Sequence, residues 1–317
     1  MKKTALVALA CLITVGTAAC SSPSSSPSAS PSQASLTIRI GDLQTDDLLP
    51  LWVAQNNGML TAAGLNVTIQ TFQSAQEEST AVQAGQLDAM MTDVLVPTEL
   101  TDGGTKMRFV TALQGAPAGI VAAPGSGITT ASQLAGAQIG TASNTIIQYI
   151  VEKALTDAGV PASQINTSEV PKLPVRLQML MAGQVKAAGL PWTLYYLAVS
   201  QGATPVVGPD VTGGYTPTVL AFRQAWLDQP GAAATIQTLL KVYDQAVDVI
   251  NANPDAQRPL IAQKANLSSS IADTYPVRTY PKSGAPDEAG VTDVLNWATA
   301  KGYLKTTITY QDLVYNP

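Results

Sequence analysis

From Leu36 onward the chain alternates between strand-like and helix-like spacing of its apolar residues. Leu36 to Asp42 (LTIRIGD) switches between apolar and polar positions and predicts a strand. After a loop, Leu43 to Asp47, the run Leu48 to Leu60 sets Leu48, Leu51, Trp52, Met59 and Leu60 at helical spacing, with Gly58 near its end as a C-cap. Leu65 to Phe72 is a second alternating strand, and Ala75 to Gln83 a helix that Ser74 is placed to cap. Asp88 to Asp93 is short and apolar enough for a strand buried on both faces. This strand-helix-strand-helix-strand order predicts a parallel sheet covered by helices, with right-handed crossovers.

Met107 to Gln114 and Ala118 to Ala123 predict two further strands, and then the pattern restarts. Thr130 to Leu134 is a short helix, Gln138 to Ala142 a strand, Thr145 to Ala158 a long amphipathic helix, and Val170 a strand centre. Val175 to Met181 (helix), Lys186 to Leu190 (strand) and Leu194 to Ser200 (helix) follow. Ala203 to Val207 and Pro217 to Phe222 are strands, and the remainder is mostly helical, with Ala232 to Ile250 the longest run. Ala84-Gly85-Gln86-Leu87-Asp88-Ala89 echoes Ala182-Gly183-Gln184-Val185-Lys186-Ala187 at two helix-to-strand junctions. The echo reads either as the mark of two similar lobes or as coincidence in an Ala-rich sequence.

The first 35 residues follow other rules. Lys2 and Lys3 precede an apolar run, Ala5 to Val15, and then Thr17-Ala18-Ala19-Cys20. A basic flank, a short apolar stretch and small residues before a cut site make a secretory signal over residues 1–19. The run is shorter than the roughly 20 residues that a membrane-spanning helix needs. A cysteine directly after small residues resembles the lipobox of bacterial lipoproteins, and that resemblance implies a diacylglycerol on Cys20. Residues 20–35 then form a lipid-anchored linker. Its Ser, Pro and Ala cannot bury apolar surface, so it reads as an extended tether.

Composition narrows the chemistry. The 317-residue chain is 46% hydrophobic with a formal charge of −5, and loss of Lys2 and Lys3 with the signal makes it more acidic still. No basic run marks a nucleic-acid or polybasic membrane surface. There is no histidine, and the two cysteines are Cys11 and Cys20. Ser-His-Asp and Cys-His catalysis are thereby excluded, as are His- or thiolate-based metal sites. No catalytic residue, metal ligand or cofactor is assigned.

The order of these elements resembles the solute-binding lipoproteins of ABC importers, in the group that binds aliphatic sulfonates, taurine, nitrate and thiamine pyrimidines. The resemblance rests on the opening strand followed by Pro50, Leu51, Ala54 and Gly58. It continues through Gly64-Leu65-Asn66-Val67, Ala84 to Asp88, Gly127 to Gly140 and Gly183 to Pro191. It implies an α/β, two-lobed type II periplasmic-binding-protein-like fold with a ligand cleft between the lobes. Lobe 1 would comprise residues 36–117 and 218–317, and lobe 2 residues 118–217, with crossings near Gly115 to Gly119 and Gly214 to Thr218. It further implies an extracytoplasmic monomer held at the cell membrane by Cys20, partnered by a small solute and a permease subunit.

In an open α/β sheet, ligands bind beyond the carboxyl ends of the strands, where helix N-termini present free N–H groups. The residues that follow the predicted strands are therefore the candidates: Gln44, Thr45, Asp46, Ser74 and Asp93 in lobe 1, and Ser143, Asn144, Thr145, Trp192 and Tyr215 in lobe 2. Ser74, Asn144 and Thr145 can equally be helix caps, and Trp192 either a ligand wall or hinge packing. No Arg or Lys falls in these loops. Acidic Asp46 and Asp93 with aromatic Trp192 and Tyr215 lean toward a neutral or cationic, partly aromatic solute such as a pyrimidine, although a helix N-terminus alone can hold an anion. The competing readings are a surface lipoprotein that senses or adheres, and an enzyme on the same scaffold that works without His or Cys.

Overall fold

The computed structural model describes residues 36–115, 118–267 and 269–316. The signal, Cys20 and the tether lie outside the described residues, as do residues 116 and 117 of the first crossing. The strands are β1 (Thr37–Leu43), β2 (Asn66–Phe72), β3 (Ala89–Asp93), β4 (Met107–Gly115), β5 (Ala118–Ala122), β6 (Gln138–Thr141), β7 (Asn166–Glu169), β8 (Ala187–Pro191), β9 (Thr204–Val207) and β10 (Pro217–Arg223). Helices of the first half are α1 (Leu49–Asn56), α2 (Met59–Ala62), α3 (Ala75–Gln83), α4 (Leu95–Asp102), α5 (Ile146–Asp157), α6 (Leu173–Met181) and α7 (Trp192–Ser200). Then come α8 (Pro209–Thr212), α9 (Gln224–Leu227), α10 (Ala232–Ala252), α11 (Arg258–Lys264), α12 (Ser269–Ala272), α13 (Glu288–Ala300) and α14 (Tyr310–Leu313).

Among the described residues the strands form two five-stranded sheets, ordered β2-β1-β3-β10-β4 and β7-β6-β8-β5-β9. Each has three parallel strands on one side, but β10 runs antiparallel to β3 and β4, and β5 antiparallel to β8 and β9. The sheets are mixed where strand-helix alternation predicts parallel ones, because β5 and β10 are the strands reached by crossing from one sheet to the other. The chain passes from β4 in the first sheet to β5 in the second, and returns after β9 and α8 to β10.

The two sheets repeat one plan. Ile40 pairs with Ala89 and Gly41 with Met90 in the first, as Ile139 pairs with Ala187 and Gly140 with Ala188 in the second. The sequence echo falls on these matching junctions: Gly85 and Gly183 adopt φ of +71° and +68°, the left-handed region that glycine enters without steric cost. Leu87 and Val185 then turn inward into the core.

Ile38, Ile40, Met91, Leu220 and Phe222 pack one face of the first sheet against α1 and α10, while Met90, Phe109, Val219 and Ala221 pack the other against α3, α4 and α13. The length of α10 follows from its apolar stripe, Ile236, Leu239, Tyr243, Val247 and Ile250, at three- and four-residue spacing. The expected helix Leu48 to Leu60 is two helices, because Gly58 takes φ of +69° and ends α1 before α2 begins. Val170 lies just past β7 instead of at a strand centre, and α4 fills a stretch whose Pro97 obscured it.

A buried polar network ties the C-terminal segment to the loop after β1. Arg278 Nη2 lies 2.8 Å from Asp46 Oδ1 and 3.2 Å from Asp47 Oδ1, and the Tyr280 hydroxyl donates to the Asp46 carbonyl at 2.6 Å. Burial alone would lower the Arg278 guanidinium, but Asp46, Tyr280 and Asp47 hold it well above its ordinary value. On the side of the second sheet, the Thr193 hydroxyl of α7 meets Tyr275 at 3.2 Å, and the Tyr196 hydroxyl donates to the Thr274 carbonyl at 2.9 Å.

Two outcomes follow for stability. Arg278→Met leaves two buried carboxylates without their cation and costs about 3–5 kcal/mol, read as a lowered urea midpoint. A Cβ at Gly119 in β5 would run into the Tyr195 ring and come within 2.8 Å of the Val207 carbonyl, whereas one at Gly214 meets nothing within 4 Å. Gly119→Ala therefore costs about 1–3 kcal/mol by overpacking, and Gly214→Ala stays within about 0.5 kcal/mol in the same titration.

Candidate functional site

The carboxyl ends of β1, β2 and β3 face those of β6, β7 and β8 across a cleft of about 370 Å³. Its first-sheet wall presents Thr45, Asp47, Ser74, Ser79, Thr92, Asp93 and Glu99, and its second-sheet wall Ser143, Asn144, Thr145, Glu169 and Arg176. Apolar contact comes from Leu43, Met91, Val96, Ile146, Ile147, Leu173, Pro171 and Pro191.

Contacts between the walls hold them together. Lys172 Nζ meets Glu77 Oε1 at 2.8 Å, and the Leu173 N–H donates to the Gln73 carbonyl at 3.2 Å. On another flank, Glu152 of α5 accepts from Trp297 Nε1 at 3.1 Å and pairs with Lys301 Nζ at 2.7 Å. The Tyr149 and Trp297 rings meet edge-on at 5.4 Å.

Six of the sequence candidates line this cleft: Thr45, Ser74, Asp93, Ser143, Asn144 and Thr145. Several are also caps. Ser74 Oγ accepts from the Glu77 N–H at 3.2 Å, Thr145 Oγ1 from Gln148 N–H at 3.4 Å, and Asp93 Oδ1 from Leu95 N–H at 2.7 Å and Val96 N–H at 3.2 Å. Asn144 takes φ of +55°, the left-handed turn that brings the chain from β6 into α5.

The other four lie elsewhere. Gln44 is half-buried outside the cleft lining. Asp46 is held by Arg278 and Tyr280. Trp192 packs against the core of the first sheet, with Arg278 5.8 Å from its ring, which is the packing alternative for that residue. Tyr215 donates to Asp157 Oδ2 at 3.1 Å, with Lys153 Nζ 4.9 Å from its ring. Among the described residues no aromatic side chain lines the cleft.

The cleft also holds residues that reasoning from strand ends passes over, because they sit inside helices or strands. Arg176, 1% exposed, is the fourth residue of α6; its Nε donates to the Val170 carbonyl at 2.9 Å and its Nη1 to the Gly189 carbonyl at 3.0 Å. Burial lowers its guanidinium to about 10, against the opposing pull of Glu169. The available signal was its place among Leu173, Leu177 and Leu180, on the inward stripe of the helix.

Glu78 is the fourth residue of α3 and lies over Gly41 as Arg176 lies over Gly140: a Cβ on Gly41 would sit 2.6 Å from Glu78 Oε1, and one on Gly140 3.3 Å from Arg176 Cγ. Burial, then Asp42 and Asp93, push the Glu78 carboxyl well above its usual range. The other acids shift the same way. Burial raises Asp93 to about 6, opposed by its backbone N–H donors, and raises Glu99 to about 8, reinforced by Asp93 and Asp102. Burial and then Asp47 push Asp42 far up, and Asp47 rises through burial although Arg278 opposes it. Among the described residues no group of three or more acids, cysteines or histidines could hold a metal ion.

Several solved structures share this architecture. The periplasmic aliphatic sulphonate binding protein SsuA of Escherichia coli superposes with a TM-score of 0.73 at 16% identity, over 89% of this chain and 92% of that one. The alkanesulfonate-binding protein SsuA of Xanthomonas axonopodis pv. citri, bound to MOPS, gives 0.76 at 15%, over 89% and 98%. The periplasmic nitrate-binding protein NrtA of Synechocystis gives 0.67 at 15%, over 86% and 83%. At such identities the likeness is one of fold: two α/β lobes in the manner of periplasmic binding proteins. No curated protein sequence matches. The family profile described as NMT1/THI5 like matches residues 45–257, well over half of the chain, and the chain therefore belongs to the NMT1/THI5-like family.

Proposed function

We propose that this protein is the extracytoplasmic solute-binding component of an ABC importer, which closes its two lobes over a small organic solute and delivers it unaltered to a membrane permease. The observation that carries this reading is the cleft at the strand carboxyl ends, walled by both sheets and bridged at Lys172 with Glu77 and at Leu173 with Gln73. That is the geometry of capture between two bodies, and a cavity of about 370 Å³ suits a metabolite-sized guest. The two structural neighbours named for sulfonates and the one named for nitrate bind such solutes on the same fold.

Binding without chemistry is supported by the sequence, which has no histidine and no cysteine after Cys20. The lobes divide near residues 117 and 217, and bending falls on the Gly- and Pro-containing crossings. Cys20 carries a lipid anchor that holds a monomer at the outer side of the cell membrane, with residues 21–35 as the spacer. Among the described residues no helix is long and apolar enough to cross a membrane, which fits attachment through a lipid.

Two measurements test this. A thermal-shift panel of sulfonates, nitrate, pyrimidines, flavins and amines, guided by native mass spectrometry of the protein from its source, yields a stabilising solute; at about 100 times its dissociation constant the gain is about 2.7 kcal/mol. Conversion of that solute into product by the protein alone would favour an enzyme instead. For the anchor, the wild-type chain partitions into the detergent phase with an acylated N-terminal Cys20, and Cys20→Ser moves it to the aqueous phase; a wild-type N-terminus without lipid would refute the anchor.

A further inference from the structure

At three helix N-termini that face the cleft, side chains of the chain itself take part of the N–H donors. At α4, the Leu95 and Val96 N–H groups are bound by Asp93. At α5, the Gln148 N–H goes to Thr145, while just before the helix Glu169 Oε2 accepts both the Ser143 N–H at 2.8 Å and the Ser143 hydroxyl at 2.6 Å. At α3, Ser74 takes the Glu77 N–H, and Glu77 Oε2 takes the Gln73 N–H at 3.2 Å. A helix N-terminus attracts an anion only through N–H groups left free. Here Glu77, Asp93 and Glu169 place carboxylates where an anion would approach α3, α4 and α5.

Two polar groups of the cleft wall, a hydroxyl and a carboxyl oxygen, lack partners. Thr92, 2% exposed and lining the cleft, has no hydrogen-bond partner for its Oγ1 among the described residues, and neither has Glu99 Oε1 on the same wall. Among the described residues the charged groups lining the cleft are Asp47, which is paired with Arg278, Asp93, Glu99 and Glu169 against the one lining cation Arg176, whose guanidinium is tied to two backbone carbonyls. Unpaired buried acceptors are costly, and each one present in a folded protein calls for a partner.

Resting on the solute-binding reading above, we infer that the guest of this cleft is a cation carrying an ammonium group, bound through the carboxylate of Glu99 and the hydroxyl of Thr92, and not an anion of the sulfonate or nitrate kind. An alkylammonium supplies up to three N–H donors and a positive charge, which matches a wall offering a hydroxyl oxygen and carboxylate oxygens. Burial lifts Glu99 with no cation offsetting it, and a bound ammonium provides that offset. The remaining lining, Leu43, Met91, Val96, Ile146 and Leu173, suits an aliphatic body.

Three probes of equal length separate the cases: butylammonium, butane-1-sulfonate and butan-1-ol, titrated calorimetrically into the full chain and into Glu99→Gln and Thr92→Val. The expected result is that butylammonium binds at least tenfold more tightly than either other probe, that Glu99→Gln removes most of this preference while leaving butanol binding unchanged, and that Thr92→Val weakens butylammonium alone. Sulfonate binding as tight as ammonium binding overturns the inference, as does an undiminished ammonium preference in Glu99→Gln. The wild-type ranking needs no variant to fold. Silence toward all three probes also overturns it, whereas the solute-binding reading falls only if the broader thermal-shift panel is silent as well.

Discussion

Two adjacent carboxylates buried in a loop repel each other and lose their hydration, and a cation set against both offsets these costs. Arg278 does this for Asp46 and Asp47, from 232 residues further along the chain. The architecture of the first lobe follows from that demand. The helices after β10 must wrap back over the first sheet to bring Arg278 to the end of β1, and in doing so they set Tyr275 and Thr274 against α7 of the second sheet. The loop that enters the cleft is thus fixed in place by a segment that never reaches the cleft. Thr45 and Asp47 face the cavity because their neighbour Asp46 is drawn the other way.

That arrangement also marks the limit of what a linear reading can supply. The alternation of strands and helices, the Ser74 cap and the inward strand β3 are local matters of spacing, and they are legible because each is decided within a few residues. Thr45, Ser74, Asp93 and Ser143 to Thr145 could be placed at the cleft for the same reason: in a sheet with parallel strands, the residue after a strand has only one end to occupy. Asp46, Trp192 and Tyr215 satisfied the same rule and yet turn away, since their partners Arg278, the first-sheet core and Asp157 are remote in sequence.

Helix positions posed a different difficulty. Arg176 lies within a periodic stretch, where a charged residue reads as part of the solvent face until its neighbours are known, and Glu99 lies in α4, for which spacing predicted no element. The mixed character of the sheets was hidden for a topological reason: strand direction depends on which sheet the chain has just left, and hydrophobic spacing carries no record of that. Gly58 was a matter of degree, being near enough to a helix end to read as a cap while acting as a break between two helices.

The repetition of one sheet plan in both lobes gives the positions of Glu78 and Arg176 a joint meaning. Each is the fourth residue of the helix that follows the outermost parallel strand of its sheet, β2 or β7, and each rests on the glycine of the strand beside it, β1 or β6. One scaffold position therefore holds an acid in one jaw and a base in the other. Two jaws of like build but unlike polarity cannot be exchanged, so the repetition of the sheet plan stops short of equivalence at this pair of buried positions.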